Sequence, residues 1–145
     1  IRIFQPEGSA LALVRDDLEA VPGQTPMRVE DAPAQPDPQL VPAVVRLPLA
    51  LTEVVFSRVA PADQVPFDPT RTVVTEVETA EGLMLVLTSS PVGQLIWVSI
   101  EAIASAPEAE DEAEAINART RGWVFVIAQD RLGDLRLSPE RVGLR

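Results

Sequence analysis

The 145 residues carry 22 acidic side chains against 12 arginines and no lysine, a formal charge of −10. Such a surface repels phosphate backbones and has no electrostatic hold on an anionic membrane, which argues against nucleic acid and acidic lipid as partners. Cysteine and histidine are both absent, so disulfides, thiolate metal sites, the commonest general base and the commonest transition-metal ligand are all removed.

A chain of this length forms one domain or two very small ones and buries about 68–70% of its unfolded surface. Aromatics make up only 4% of it, so Val, Leu, Ile and Ala must fill the interior. Fourteen prolines predict many turns and edges and few long helices. The opening Ile1-Arg2-Ile3-Phe4 already has the character of a strand. This start reads as that of a fragment or processed product whose targeting segment lies upstream.

Ile1–Phe4 and Ala10–Arg15 flank Gln5-Pro6-Glu7-Gly8-Ser9, a turn cluster between apolar runs, which predicts a β-hairpin. A Pro-rich connection follows from Asp16 to Gln39, with a short strand at Met27–Val29. Asp37-Pro38 resembles a helix start, and Leu40, Val44, Leu47 and Leu51 share a face over Pro38–Leu51. Thr52–Val59 reads as a strand and Ala60–Thr70 as a loop. Thr72–Thr79 and Leu83–Ser89 form the clearest hairpin, joined by Ala80-Glu81-Gly82.

The 19 residues from Gly82 to Ile100 carry no charge and are long enough to span a bilayer. Ser89-Ser90-Pro91-Val92-Gly93-Gln94 at their centre is turn chemistry, so two strands joined by a turn is the better reading. The second is Leu95–Ile103, with Ile96, Val98 and Ile100 on one face and Trp97 on the other. Ser105 with Glu108 fits a capping box opening a helix to Ala118. Gly122–Ile127 is a further strand, and Ser138-Pro139 caps a last helical turn.

Ile3-x-x-x-Glu7-Gly8-x-x-Leu11-x-Leu13 matches Val77-x-x-x-Glu81-Gly82-x-x-Leu85-x-Leu87 at a constant offset of 74 residues. The expected fold is therefore α+β: strand-rich, with antiparallel sheets and two short helices. It is read as two repeated β-β-α-β-like units, 1–59 and 60–145, packed as one compact domain. Coincidence between two common Glu-Gly hairpins stays open as the alternative.

Catalytic machinery is hard to assemble from this inventory. The acidic run from Glu108 to Glu114 lies at helical spacing and faces several directions, so it reads as a solvated helix start and not as a cation site. None of the seven serines sits in a Gly-x-Ser-x-Gly elbow, and no His or Lys is present to activate one. No phosphate-cradling glycine pattern occurs. Glu76 and Glu78 share a strand face and, with Trp97, are the candidate ligand or partner residues. Catalytic, metal and cofactor residues are expected to be none.

The ordered set LTEVVFSRVAPADQVPF, TVVTEVETAEGLMLVL, IWVSIEA and EAEAINARTRGWVFVI resembles the C-terminal part of the family catalogued as domain of unknown function 4340. The matching features fall on Phe56, Val59, Pro61, Ala62, Thr79, Gly82, Leu83, Trp97, Ala113, Ile116, Asn117, Arg119, Gly122 and Trp123. Ala80-Glu81-Gly82 departs from the family's Phe-Asp-Gly, and the tail AQDRLGDLRLSPERVGLR departs from its Lys-, Ala- and Leu-rich helix. The resemblance implies strand-rich repeats outside the cytoplasm behind an N-terminal membrane anchor, often encoded beside ABC-type transport systems. It implies no activity.

The expectation is thus a non-enzymatic, extracytoplasmic (periplasmic) accessory module that touches protein partners, among them transporter subunits. Exposed strand edges are the expected contacts, with the Pro-rich connection as a second candidate. The rival is a small-ligand or carbohydrate-binding module, or a carboxylate-dependent hydrolase, using Glu76, Glu78 and Trp97. A third reading is an oligomeric scaffold.

Overall fold

Residues 1–15, 27–30 and 55–127 are described by the computed structural model of the chain. They form strands β1 (Arg2–Phe4), β2 (Ala10–Arg15), β3 (Met27–Val29), β4 (Phe56–Pro61), β5 (Val73–Glu78), β6 (Leu83–Val92), β7 (Leu95–Ala104) and β8 (Trp123–Ile127). One α-helix, α1 (Glu110–Thr120), and 3-10 turns at Ala62–Gln64, Pro69–Arg71 and Pro107–Ala109 complete the described residues. The expected helix at Pro38–Leu51, the turn at Ser138-Pro139 and most of the Pro-rich connection lie outside them.

The strands lie in the order β3-β2-β1-β5-β6-β7-β8-β4, and every neighbouring pair is antiparallel. The fold is therefore α+β and strand-rich, as expected. The pairing β1–β5 joins residues 1–59 to residues 60–145, and β4, which straddles residue 60, pairs with β8.

Registers assign each side chain to a face, because alternate residues of a strand point opposite ways. One face carries Ile3, Leu11, Leu13, Val73, Thr75, Leu87 and Val98, all buried. Full burial of each large aliphatic side chain is worth about 1.5–3 kcal/mol. The helix α1 lies on this same face, where Ala109, Ala113 and Ile116 pack over Leu83, Leu85, Ala102 and Ala104. Alanines at i and i+4 let the helix approach the sheet closely.

The opposite face is split. Its Ser90, Val124 and Val126 are buried. The β4–β5 connection passes over β8, β7 and β6 on that side, with the Asp68 amide donating to Ser90 Oγ at 3.3 Å. The remainder, from Arg2 and Phe4 across Glu76 and Val86 to Glu101 and Ile103, is half-exposed or exposed.

The two hairpin turns share one hydrogen-bond scheme. Gln5 N–H donates to Ser9 O at 2.8 Å and Gly8 N–H to Gln5 O at 3.0 Å; Thr79 N–H donates to Leu83 O at 2.8 Å and Gly82 N–H to Thr79 O at 3.2 Å. Ile3 opposes Leu11 as Val77 opposes Leu85. Where β1 meets β5, Arg2 faces Glu76, the residue 74 positions further along the chain.

Four boundaries differ from expectation. The strand expected at Thr52–Val59 is observed as Phe56–Pro61, residues 52–54 lying outside the described chain. Its ladder to β8 continues through Pro61↔Trp123, so Ala60 and Pro61 leave the expected loop. The hairpin expected to turn over Ser89–Gln94 keeps its ladder to Val92↔Leu95. Pro91 is tolerated there because β5 ends its pairing at Ser89, so the ring's missing N–H faces no neighbouring strand.

The third difference is Ser105, which caps nothing. Its hydroxyl lies 2.9 Å from Gly82 O and 3.3 Å from Glu78 Oε1, tying the end of β7 to the hairpin turn. Fourth, α1 starts at Glu110 behind a 3-10 turn and continues to Thr120.

Candidate interaction surface

The sequence-selected residues Glu76, Glu78 and Trp97 do fall on one face. Glu76 opposes Val86, and Val86 opposes Glu101. Trp97 sits two strands from Glu76 and four residues along β7 from Glu101. Strand spacing of about 4.8 Å and a rise of about 3.3 Å per residue separate the Glu76 and Trp97 backbones by about 16 Å. Glu78 is exposed and engages Ser105. Trp97, opposite Ser90 and Val126, belongs to the row beneath the β4–β5 connection. The structure puts the three on one side of the sheet without bringing them together. Among the described residues no group of three acidic side chains converges as a metal-ion site.

Several residues of the sequence motifs are accounted for by folding. Asn117 presents its carboxamide to β7: Ala102 N–H donates to Oδ1 at 2.8 Å, and Nδ2 donates to Ala102 O at 2.7 Å. The side chain thereby occupies the position of a neighbouring strand where α1 crosses β7. Gly82 has φ +82° and stands where an added Cβ would come within 2.5 Å of Ala106 Cβ. Thr79 supports the same turn, its Oγ1 accepting from Leu83 N–H at 3.1 Å.

What the sequence reading missed is at the other end of the sheet. Val55, Phe56, Val59 and Trp123 are 65%, 43%, 57% and 45% exposed, and these four make up most of the exposed large apolar side chains of the described residues. Val59 opposes Phe125 and Pro61 opposes Trp123, so these share the face that bears α1. A register shift between Phe56 and Arg58 turns Phe56 to that face too, where its ring lies 4.6 Å from the Phe125 ring. A bulge re-aims a side chain in this way. The sequence resemblance had picked out Phe56, Val59, Pro61 and Trp123 in two motifs over 60 residues apart; β4–β8 pairing makes one patch of them.

Among the described residues β4 is an edge strand. Ala62 N–H donates to Gly122 O at 2.9 Å, and alternation along the ladder then turns Ala60 and Arg58 toward β8 and Val59 and Pro61 away from it. The outward edge therefore offers the Val59 N–H and C=O and the Pro61 C=O. Pro61, which lacks a donor, and the bulge keep this edge short, two devices that limit open-ended strand pairing.

Arg58 is exposed on the face opposite Val59, and Arg121 and Asp63 are exposed beside the Gly122–Ala62 contact. The acidic run of α1 begins at the other end of that helix. Among the described residues, no helix is long and apolar enough to cross a membrane.

Comparison with protein-family models, with curated proteins and with solved structures gives no match.

Proposed function

We propose that this protein is a non-enzymatic accessory module that works by contacting other proteins, with the β4 edge as its principal contact. The observation that carries this reading is the edge strand itself, flanked by the exposed Val55, Phe56, Val59 and Trp123. Apolar surface gathered on an open sheet edge is the chemistry of strand addition by a partner. The absence of His, Lys and Cys from the chain adds support, since it removes the commonest general base and two of the commonest activated nucleophiles.

The finer readings from the sequence belong with this proposal. The module acts outside the cytoplasm, held to the membrane by an upstream anchor, and its partners include subunits of an ABC-type transport system. The ordered motifs shared with the family of unknown function support that setting. The chain is built from two related units, supported by the identical hairpin turns and by the facing of Arg2 and Glu76.

Photo-crosslinking from position 59 of the full-length protein in its native membrane tests the reading. A discrete set of protein adducts is expected from position 59 and not from position 101 on the open sheet face. Equal, diffuse labelling from both positions would overturn it.

A further inference from the structure

We propose that the segment from Ala106 to Arg121, which carries α1, is a hinged strap. It lifts off the sheet as one unit and uncovers the edge of β7 while the strands stay paired, independently of what the β4 edge contacts.

Little holds α1 down. Of its 11 residues only Ala113 is buried; Ile116, Asn117 and Thr120 are half-buried and the others are exposed. Together with Ala109 just ahead of the helix, Ala113 and Ile116 are what the strap adds to the cluster around Leu83 and Ala102. A helix this short is marginal in water without packing. Segments with few buried apolar contacts are the ones that open below the global unfolding energy.

Both ends of the strap are fastened. Before it, Ser105 N–H donates to Gly82 O at 2.8 Å; after it, Gly122 O accepts from Ala62 N–H at 2.9 Å. Pro107 and its 3-10 turn separate β7 from α1 at the entry. At the exit Gly122 has φ +79° and open space where a Cβ would stand, a joint with wide backbone freedom.

Under the strap β7 is paired on one side. Among the described residues its ladder to β8 stops at Val98↔Phe125, whereas its ladder to β6 runs on to Ala104↔Leu83. The Asn117 carboxamide takes the missing place at Ala102, bonding both its N–H and its C=O, and is the latch. Lifting it bares that edge, and the pairing with β6 keeps β7 in position.

Two adjacent amides provide the test. Ala102 N–H points to Asn117, so alternation turns the Glu101 N–H toward β6. Hydrogen exchange of the labelled full chain is followed by NMR in water and in low urea. Ala102 and the amides of residues 115–120 are expected to share one protection factor, at least about tenfold below that of Glu101. Their exchange should hardly respond to urea while that of Glu101 rises with it, because a local opening exposes little surface. Ile116→Ala should speed Ala102 and the helix amides together by about tenfold.

Ala102 protected as well as Glu101, with the same urea dependence, would overturn the proposal: strap and sheet would then open only together. Fast exchange at Ala102 with the helix amides still protected, or an Ala102 amide indifferent to Ile116→Ala, would overturn it as well. Either result would leave a swinging Asn117 side chain in place of a moving strap.

Discussion

Asn117 shows how one side chain can replace a strand. Ala102 is buried, and the Asn117 amide satisfies both its N–H and its C=O. Asn117→Ala strands two backbone groups at about 1–3 kcal/mol for each that stays dry, so a loss of about 2–4 kcal/mol is expected in chemical denaturation. Gly82 and Gly8 provide a matched pair. Both have positive φ, but a Cβ at Gly8 would meet nothing within 4 Å, whereas one at Gly82 meets Ala106. Gly8→Ala should cost about 1–2 kcal/mol from backbone strain alone. Gly82→Ala should cost roughly twice that, with part recovered in the double variant Gly82→Ala/Ala106→Gly, as read by thermal midpoints.

Asp68 is a titrating group with a structural partner. Its Oδ1 accepts from Thr70 Oγ1 at 2.7 Å and from Thr70 N–H at 2.9 Å. These hydrogen bonds, the hydroxyl first, favour the carboxylate and draw its pKa below the ordinary value of 3.8. A carboxyl whose folded pKa is depressed contributes stability that is present above the unfolded value and drains away as pH falls through the folded one. The stability–pH curve should therefore steepen below pH 3.8, and Asp68→Asn should flatten that part of it. Carbon-detected NMR titration of Asp68 gives the direct check.

Among the elements, β4 and α1 teach opposite lessons. The helix was readable from the Ser105–Glu108 spacing and the acidic residues gathered at its start, both local patterns. Its start was misread because Ser105 found Gly82 across the hairpin sooner than the orphan amides of the helix. β4 was readable as a strand from its β-branched and aromatic residues. Its role as an edge was not, because being an edge depends on where β8 lies, not on the residues of β4. Pro61 guards this edge: Pro61→Thr restores an outward N–H opposite solvent and should promote concentration-dependent association in sedimentation velocity, with little change in stability. Unchanged mass up to high concentration would show that Pro61 is not what keeps the edge closed.

For the molecule as a whole, alternation and turn chemistry determined a great deal without coordinates. The Glu-Gly hairpins, the apolar Gly82–Ile100 stretch as two strands, and the faces of Trp97 and Val98 all followed from local rules, because pleat and turn are properties of a few adjacent residues. The grouping of Glu76, Glu78 and Trp97 did not follow in the same way: alternation assigned them to a face, but separation along that face is a matter of register between strands. Only the tertiary structure decided that β4 leaves its sequence neighbours to close the far edge against β8, and that Phe56, Val59 and Trp123 meet there. Long-range pairing is chosen by the sum of contacts over the entire sheet, which no single segment encodes.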